Sequence, residues 1–234
     1  MTPVEQPAAC GRSILRGAIF AAMYDRMTER TEAAGLGAHR ERLLAGAWGR
    51  VLEIGGGTGH NLPYYGETVT ELTVTDPEQP MAKRLRASVA SVRPGTHVVE
   101  ASAEELPFPD GSFDTVVSTL VLCTVADPAR SLAQIARVLI PGGQLLFIEH
   151  VRADTPRLGW VQDHVNPIQR LFAHGCNCNR RTLEAIRAAG FTVDKLERDE
   201  LKHVPPFVRP LIIGSAVRAP LPIDGPRSLS ARAW

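Results

Sequence analysis

The sequence predicts an α/β fold in which a parallel sheet is covered by helices on both faces. Two observations carry this prediction. From Val51 onward, short apolar runs suited to strands alternate with longer stretches of helical periodicity. A glycine-rich turn, Gly55-Gly56-Gly57-Thr58-Gly59, follows the first apolar run, and such a turn lets a ligand approach the backbone. We therefore expect one α/β domain with a ligand site beside this turn.

Seven segments have the character of strands. They are residues 51–54, 72–75, 97–100, 115–120, 144–151, 192–197 and 211–217. The pattern of residues 13–46 is helical and precedes the first strand, so we expect helices there that cover the site. The helix after the fourth strand is the best defined, because Asp127 suits its N-cap and Pro128 its first turn. Its apolar face is predicted to contain Leu132, Ile135, Ala136 and Leu139, and Pro141-Gly142-Gly143 is predicted to end it.

Composition is typical of a globular protein in a reducing compartment. The chain has 234 residues, 44% of them apolar, and a net charge of +1 without any run of basic residues, which disfavours a nucleic acid as the substrate. The four cysteines have no disulfide spacing, and the apolar run at residues 14–23 is too short to span a bilayer. We therefore expect a cytoplasmic protein without a membrane segment. The proline- and glycine-containing ends, residues 1–12 and 219–234, are predicted to be disordered.

Candidate binding residues follow two of the predicted strands, at the edge where parallel sheets bind ligands. Gly55, Gly57 and Gly59 permit close approach of a ligand, and the helix start behind them offers N–H donors. Asp76 ends the second strand and can accept two hydrogen bonds from ribose hydroxyls, although an Asp-Pro turn with Pro77 is the structural alternative. His60 occupies the third-glycine position of a dinucleotide fingerprint, which disfavours a dehydrogenase.

Three motifs carry a family resemblance. They are Glu53-x-Gly55-x-Gly57-x-Gly59, the segment A-S-A-E-E-L-P-F-P-D-G-S-F-D at 101–114, and A-R-V-L-x-P-G-G at 136–143. Residues 51–148 resemble the class I S-adenosylmethionine (SAM)-dependent methyltransferases of the group that includes the ubiquinone and menaquinone methyltransferases. The resemblance implies a Rossmann-like, mostly parallel sheet of seven strands with the last one antiparallel. It also implies SAM as the cofactor and S-adenosylhomocysteine as its product.

The resemblance divides the chain and assigns cofactor contacts. Residues 13–218 would form the domain, with a helical cover at 13–49, a SAM-binding half at 50–151 and an acceptor-side half at 152–218. Ser102 stands where the family usually has an acidic residue for the adenine amino group, so backbone N–H groups near Ala103 and Glu104 are expected to bind the ring. Tyr24 matches a tyrosine that closes over the cofactor in many relatives, and a core position is its alternative. The expected cofactor-binding residues are Tyr24, Glu53, Gly55, Gly57, Gly59, Asp76, Pro77, Ser102, Ala103, Glu104, Thr119, Leu120 and Cys123.

A narrower resemblance concerns the methyl acceptor. Glu149-His150-Val151, Gly175-Cys176-Asn177 and the ending at residues 208–218 resemble the methyltransferase-like alkyl-thiol methyltransferases of animals and their bacterial relatives. It implies a small thiol or dithiol as the acceptor, and a thiol ionises with little help from a base. The animal members carry an N-terminal membrane anchor, which we do not expect here.

Alternatives for the acceptor and for catalysis remain open. His150, His164 and Asp163 are the candidate catalytic residues: His150 could act as a general base at the end of the fifth strand, and Asp163 and His164 could instead line the acceptor pocket. A base at His150 or His164 would matter more for the alternative acceptor, a phenol or quinol methylated on oxygen or carbon. A non-catalytic SAM-binding protein is the alternative from a different class. His174, Cys176 and Cys178 alternate too closely for tetrahedral zinc, so no metal is expected, and packing is the default role of Cys123 and Cys176. The oligomeric state does not follow from the sequence.

Overall fold

The computed structural model describes residues 29–173 and 175–219. Tyr24 and His174 lie outside the described residues, as do the run 14–23 and, except for residue 219, both ends predicted to be disordered. The strands are β1 (Gly49–Ile54), β2 (Val69–Thr75), β3 (His97–Val99), β4 (Phe113–Thr119), β5 (Leu139–His150), β6 (Phe191–Glu200) and β7 (Pro210–Arg218). The α-helices are α1 (Gly37–Leu44), α2 (Gln79–Val92), α3 (Pro128–Val138), α4 (Pro156–Phe172) and α5 (Thr182–Ala188).

The seven strands form one sheet in the order β3-β2-β1-β4-β5-β7-β6. β7 runs antiparallel to both of its neighbours, and the other pairs are parallel. The predicted α/β class, the strand number and the antiparallel last strand are therefore confirmed. The order reverses between β1 and β4, and this reversal opens the crevice in which ligands bind to sheets of this type.

The central strands are apolar on both faces because helices cover both. Val51 and Val117 pack with Leu85 of α2 on one face, whereas Leu52 and Val116 pack with Ile135 of α3 on the other. Consecutive residues of a strand point to opposite faces, so an uninterrupted apolar run supplies both cores. Because both faces of these strands are packed, the positions of the strand ends are fixed. The site is formed by the loops that follow those ends.

Helix α3 begins as its sequence predicts and ends earlier. The Asp127 side chain accepts a hydrogen bond of 3.0 Å from the Arg130 N–H, which satisfies one free donor of the first turn. The helix ends at Val138, and Leu139 already begins β5, so the prediction that Pro141-Gly142-Gly143 ends the helix is wrong. These three residues instead lie in an irregular start of β5, where the register shifts between its pairings with Phe113 and Thr115.

The N-terminal cover is helical but not continuous in the described part. A π-helical turn at Glu32–Leu36 precedes α1, and Gly35 inside it has φ 138°, which breaks the helical path predicted for residues 13–46. Leu36 packs against Ile148 and Leu211, so the cover lies over the ends of β5 and β7. Within residues 29–173 and 175–219, none of the helices is long and apolar enough to cross a membrane.

Candidate active site

A cavity of about 630 Å³ opens at the carboxyl ends of β1, β2, β4 and β5. This volume falls within the range of about 300–1,000 Å³ that is usual for small-molecule sites. Ten residues predicted from the sequence line it: Gly55, Gly57, Asp76, Pro77, Ser102, Ala103, Glu104, Leu120, Cys123 and His150. Five others within the described residues are not in its lining, namely Glu53, Gly59, Thr119, Asp163 and His164.

The glycine turn is held in a backbone conformation that favours glycine. Gly55, Gly57 and Gly59 have φ values of 59°, 58° and 93°. A Cβ on Gly55 would lie 2.6 Å from a Val121 methyl, so glycine also lets the turn lie against the loop that follows β4. Gly59 faces away from the cavity, towards Leu62. The turn thus presents Gly55 and Gly57 to a ligand and uses Gly59 for packing.

Asp76 joins the loops that follow β1 and β2. One carboxylate oxygen accepts the Gly57 N–H at 3.0 Å, and the other accepts the Glu78 N–H at 2.9 Å. The side chain is buried and lines the cavity. An ionised carboxylate has about four lone-pair positions, so these two bonds leave it able to accept further hydrogen bonds from hydroxyls.

The segment after β3 forms a compact turn at the cavity edge. Ser102 Oγ accepts the Glu104 N–H at 3.2 Å, and the Ser102 carbonyl accepts the Glu105 N–H. Glu104 in turn accepts the Asp127 N–H at 2.9 Å, which links this edge to the start of α3. The Glu104 N–H that was expected to bind a ring is therefore engaged within the turn itself.

A buried network lies beneath the glycine turn. Glu53 accepts hydrogen bonds from Tyr65 Oη at 2.7 Å and from Asn61 Nδ2 at 3.0 Å, and burial raises its pKa to about 7. Arg40 of the N-terminal cover donates to Asn61 Oδ1 at 2.7 Å and to Thr119 Oγ1 at 3.1 Å. Glu53 and Thr119 thus both accept hydrogen bonds from Asn61, which follows the glycine turn, and so they help to hold the turn in position. Arg40 and Asn61 were not predicted as part of the site. For Arg40 the reason is that an arginine in a polar helix gives no sequence signal for burial.

Glu149 is the residue that organises the loop after β4. Its fully buried carboxylate accepts Ser118 Oγ at 2.6 Å and the N–H groups of Val121, Leu122 and Cys123 at 3.0–3.1 Å. Burial raises the pKa of Glu149, and these four donors act in the opposite direction. Leu120, with φ 61°, adopts a conformation that costs energy in a leucine, and the Glu149 contacts hold the loop in that shape. The signal in the sequence that could have indicated this role is the carboxylate of Glu149 within the otherwise apolar end of β5.

Two cysteines and a histidine meet in the cavity wall. Cys123 Sγ and Cys176 Sγ lie 3.8 Å apart, and His150 Nδ1 lies 3.7 Å and 3.5 Å from them, respectively. Contact with the Cys123 thiol, and secondarily with His150, lowers the pKa of Cys176 to about 5, while the pKa of Cys123 is raised. His150 Nε2 is buried without a hydrogen-bond partner in the described part of the chain. Cys176 was expected only to pack, and its neighbours Cys123 and His150 are distant in sequence.

Asp163 and His164 lie on the exposed side of α4, away from the lining of the cavity. Asp163 pairs with Arg152 and accepts Asn179 Nδ2 at 3.0 Å. The His164 ring lies 4.0 Å from that of Trp160. The inward position is taken by Gln162, whose Nε2 donates to the carbonyls of Val151 and Cys178, among others. One residue is about 100° around a helix, so residues next to the buried Gln162 turn outward.

Comparisons with known proteins place this geometry in a family. Residues 52–147 match the methyltransferase domain family. The human thiol S-methyltransferase TMT1A is 37% identical over 181 residues, which cover 75% of this chain and 74% of the relative. The chain belongs to the class I SAM-dependent methyltransferases. The predicted family and its cofactor, SAM, are confirmed.

A further relative agrees with this assignment, and a solved structure shares the fold. The ubiquinone/menaquinone biosynthesis C-methyltransferase UbiE of Vibrio cholerae is 33% identical over 148 residues, covering 59% of this methyltransferase and 57% of the relative. A SAM-dependent methyltransferase from Thermotoga maritima has the same fold, with a TM-score of 0.63, 23% identity, and coverage of 86% and 97% of the two chains. The predicted likeness to the quinone methyltransferases is therefore also confirmed.

Proposed function

We propose that the protein transfers the methyl group of SAM to the sulfur of a small thiol or dithiol. SAM would lie with its ribose hydroxyls on Asp76 and its methionine carboxylate beside Gly55 and Gly57. The adenine ring would lie along the turn at residues 102–104. These assignments are supported by the cavity lining, in which the three groups follow successive strands in the order that the cofactor requires.

The acceptor is proposed to bind at the end of the cavity opposite the glycine turn and Asp76. Its walls are mainly apolar, with Leu36, Leu201, Val204 and Val208 among them. The titratable side chains that line the described part of this end are Cys123, His150 and Cys176, while the carboxylates Asp76, Glu78 and Glu104 lie at the cofactor end. An acceptor bound here finds no carboxylate base in that lining. A thiol suits such a site, because a few per cent of a thiol of pKa about 8.5 is already ionised at pH 7.

The reaction is a direct displacement. The thiolate sulfur attacks the methyl carbon, the bond from that carbon to the SAM sulfonium breaks, and its electron pair stays on the sulfur of S-adenosylhomocysteine. The proton of the thiol leaves to solvent before the attack. The protein's contribution is to hold the two reactants in line and to exclude water, and such positioning is worth about 7–11 kcal/mol in well-oriented systems.

The test is transfer of a labelled methyl group from SAM to a panel containing an alkyl thiol, a dithiol, a phenol and a demethylquinol. Label on the thiols is the expected result. Label on the phenol or quinol alone would contradict the thiol assignment and would favour His150, whose buried Nε2 is unpartnered in the described residues, as a base. No label on any acceptor, despite tight SAM binding, would favour a non-catalytic SAM-binding protein.

We also propose a free small molecule in the cytoplasm as the acceptor. The net charge of +1 gives a nucleic acid no electrostatic attraction. Cys123, Cys176 and Cys178 are buried free thiols, as is usual in a reducing compartment. Salt-independent turnover on a small thiol, and recovery of the native chain in the soluble cell fraction, would support this proposal.

A further inference from the structure

The Cys123–His150–Cys176 cluster has the dimensions of a metal site. Zn–S bonds of about 2.3 Å and Zn–N bonds of about 2.0–2.1 Å at tetrahedral angles place two sulfurs about 3.8 Å apart and a sulfur and a nitrogen about 3.6 Å apart. The observed separations are 3.8 Å between the sulfurs, and 3.5 Å and 3.7 Å from each sulfur to His150 Nδ1. A zinc ion at the apex of this triangle would therefore reach all three atoms with little movement of the side chains.

The surrounding structure holds the two cysteine ligands in place. The backbone at Cys123 is fixed on one side by Glu149, which accepts its N–H at 3.0 Å. On the other side its carbonyl accepts the Asn177 N–H at 2.8 Å, which ties the loop carrying Cys176 to the loop after β4. Arg180 adds a second tie, because it donates to the carbonyls of Leu122 and Val125. Sites that bind metals tightly are organised in this way before the ion arrives.

Three protein ligands leave one tetrahedral position open, and the cluster lies in the cavity wall. Cys123, His150 and Cys176 all line the cavity at its acceptor end. A catalytic zinc site has this form, with three protein ligands and a fourth position for water or substrate. A structural zinc site would instead have four protein ligands, and no other cysteine, histidine or carboxylate of the described residues joins this group.

We propose that Cys123, His150 and Cys176 bind a zinc ion whose open position takes the sulfur of the acceptor thiol. The assignment of the fourth ligand rests on the proposed function, in which the acceptor is a thiol. The assignment of the three protein ligands does not depend on it. A thiol bound to zinc loses its proton to solvent and is held as the thiolate. Its sulfur then attacks the methyl carbon of SAM, the sulfonium keeps the electron pair of the broken bond, and the neutral thioether product is a poor ligand that leaves the ion.

The experiment measures metal content and coordination in the full chain. Protein purified under reducing conditions is assayed for zinc by mass spectrometry, stripped with a chelator, and titrated with cobalt chloride. Cobalt is followed through its tetrahedral d–d absorption and its thiolate charge-transfer absorption. Cys176→Ser and Cys123→Ser remove one ligand each. Cys178→Ser is the matched control, since Cys178 is also buried but its sulfur lies 3.8 Å from Asn166 Oδ1.

We expect about one zinc ion per chain in the wild type and in the Cys178→Ser protein. Little zinc should remain in the other two variants, and charge-transfer absorption should increase when an alkyl thiol is added to the cobalt protein. Wild-type protein that retains no zinc and gives no tetrahedral cobalt spectrum would overturn the metal site, and thiol methylation by that same protein would leave the proposed function intact. Zinc retained by a protein that methylates only phenols or quinols would support the site and overturn the thiol as its fourth ligand.

Discussion

Replacement of Asp76 by asparagine isolates the role of one carboxylate in binding SAM. Each oxygen of Asp76 accepts one backbone N–H, from Gly57 and from Glu78. An asparagine side chain has a single oxygen, so its NH2 group would face one of these two donors. The variant would also offer the ribose hydroxyls a weaker acceptor without charge. Losing charge-assisted hydrogen bonds costs about 1.5–3 kcal/mol each.

We therefore expect the dissociation constant of SAM to rise roughly 100-fold in Asp76→Asn, which corresponds to about 3 kcal/mol. Isothermal titration calorimetry with SAM measures this directly. Asp110→Asn is the matched control, because Asp110 is an exposed acid that pairs with Arg137 outside the cavity lining. An Asp76→Asn protein that folds and binds SAM as tightly as the control would refute the ribose assignment.

Three further predictions concern the glycine turn, the buried acid beneath it and the acceptor end. Gly55→Ala, which forces a positive φ on alanine and places Cβ 2.6 Å from Val121, should lower the free energy of unfolding by about 2 kcal/mol or more in urea titrations and should weaken SAM binding. Gly95→Ala, with φ 94° and open space at Cβ, should lower the free energy of unfolding only through backbone strain. Equal losses of stability in the two variants would contradict the close contact between residue 55 and Val121. Because burial raises the pKa of Glu53 from 4.5 to about 7, the folded protein binds more protons than the unfolded chain in that interval, so stability should fall by about 3 kcal/mol as pH rises from 4.5 to 7. Glu53→Gln should make that slope shallower in urea titrations at several pH values and should leave the part that the raised pKa of Glu149 contributes. An unchanged slope would show that Glu53 is not one of its causes. His150→Ala removes one of the three proposed zinc ligands, so kcat on a thiol should fall about tenfold or more at pH 6.5 and less at pH 9, where more of the free acceptor is already thiolate, without a change in SAM affinity. A large loss of SAM affinity would instead place His150 at the cofactor end.

The fold could be predicted because its information is local. Val51-Leu52 and Leu145-Leu146 are apolar on both faces. The glycine turn marks where β1 ends, and the Asp127 cap marks where α3 begins. The cofactor end followed for the same reason, since Gly55 and Asp76 directly follow strands whose ends meet at one edge of the sheet. Element boundaries were less secure, as the start of β5 before Pro141 shows.

The acceptor end was not predictable to the same degree, because it depends on contacts between distant residues. Cys123, His150 and Cys176 come from three separate loops and strand ends, and no spacing rule connects them. On α4, Asp163 was chosen for its chemistry, but packing turns Gln162 inward and leaves Asp163 exposed. The buried Arg40 depends on Asn61 and Glu32, which a helical pattern cannot reveal.

The most direct test of the central claim compares an alkyl thiol with the alcohol of the same carbon chain, using SAM that carries a deuterated methyl group. Mass spectrometry then quantifies the methylated product and S-adenosylhomocysteine in the same reaction. We predict equal amounts of deuterated methyl thioether and S-adenosylhomocysteine from the thiol and no ether from the alcohol. Asp76→Asn should form thioether about 100-fold more slowly when the SAM concentration is far below the dissociation constants of both proteins. Thioether formation at the same rate without the protein, or none with it while a phenol or quinol is methylated, would contradict the account.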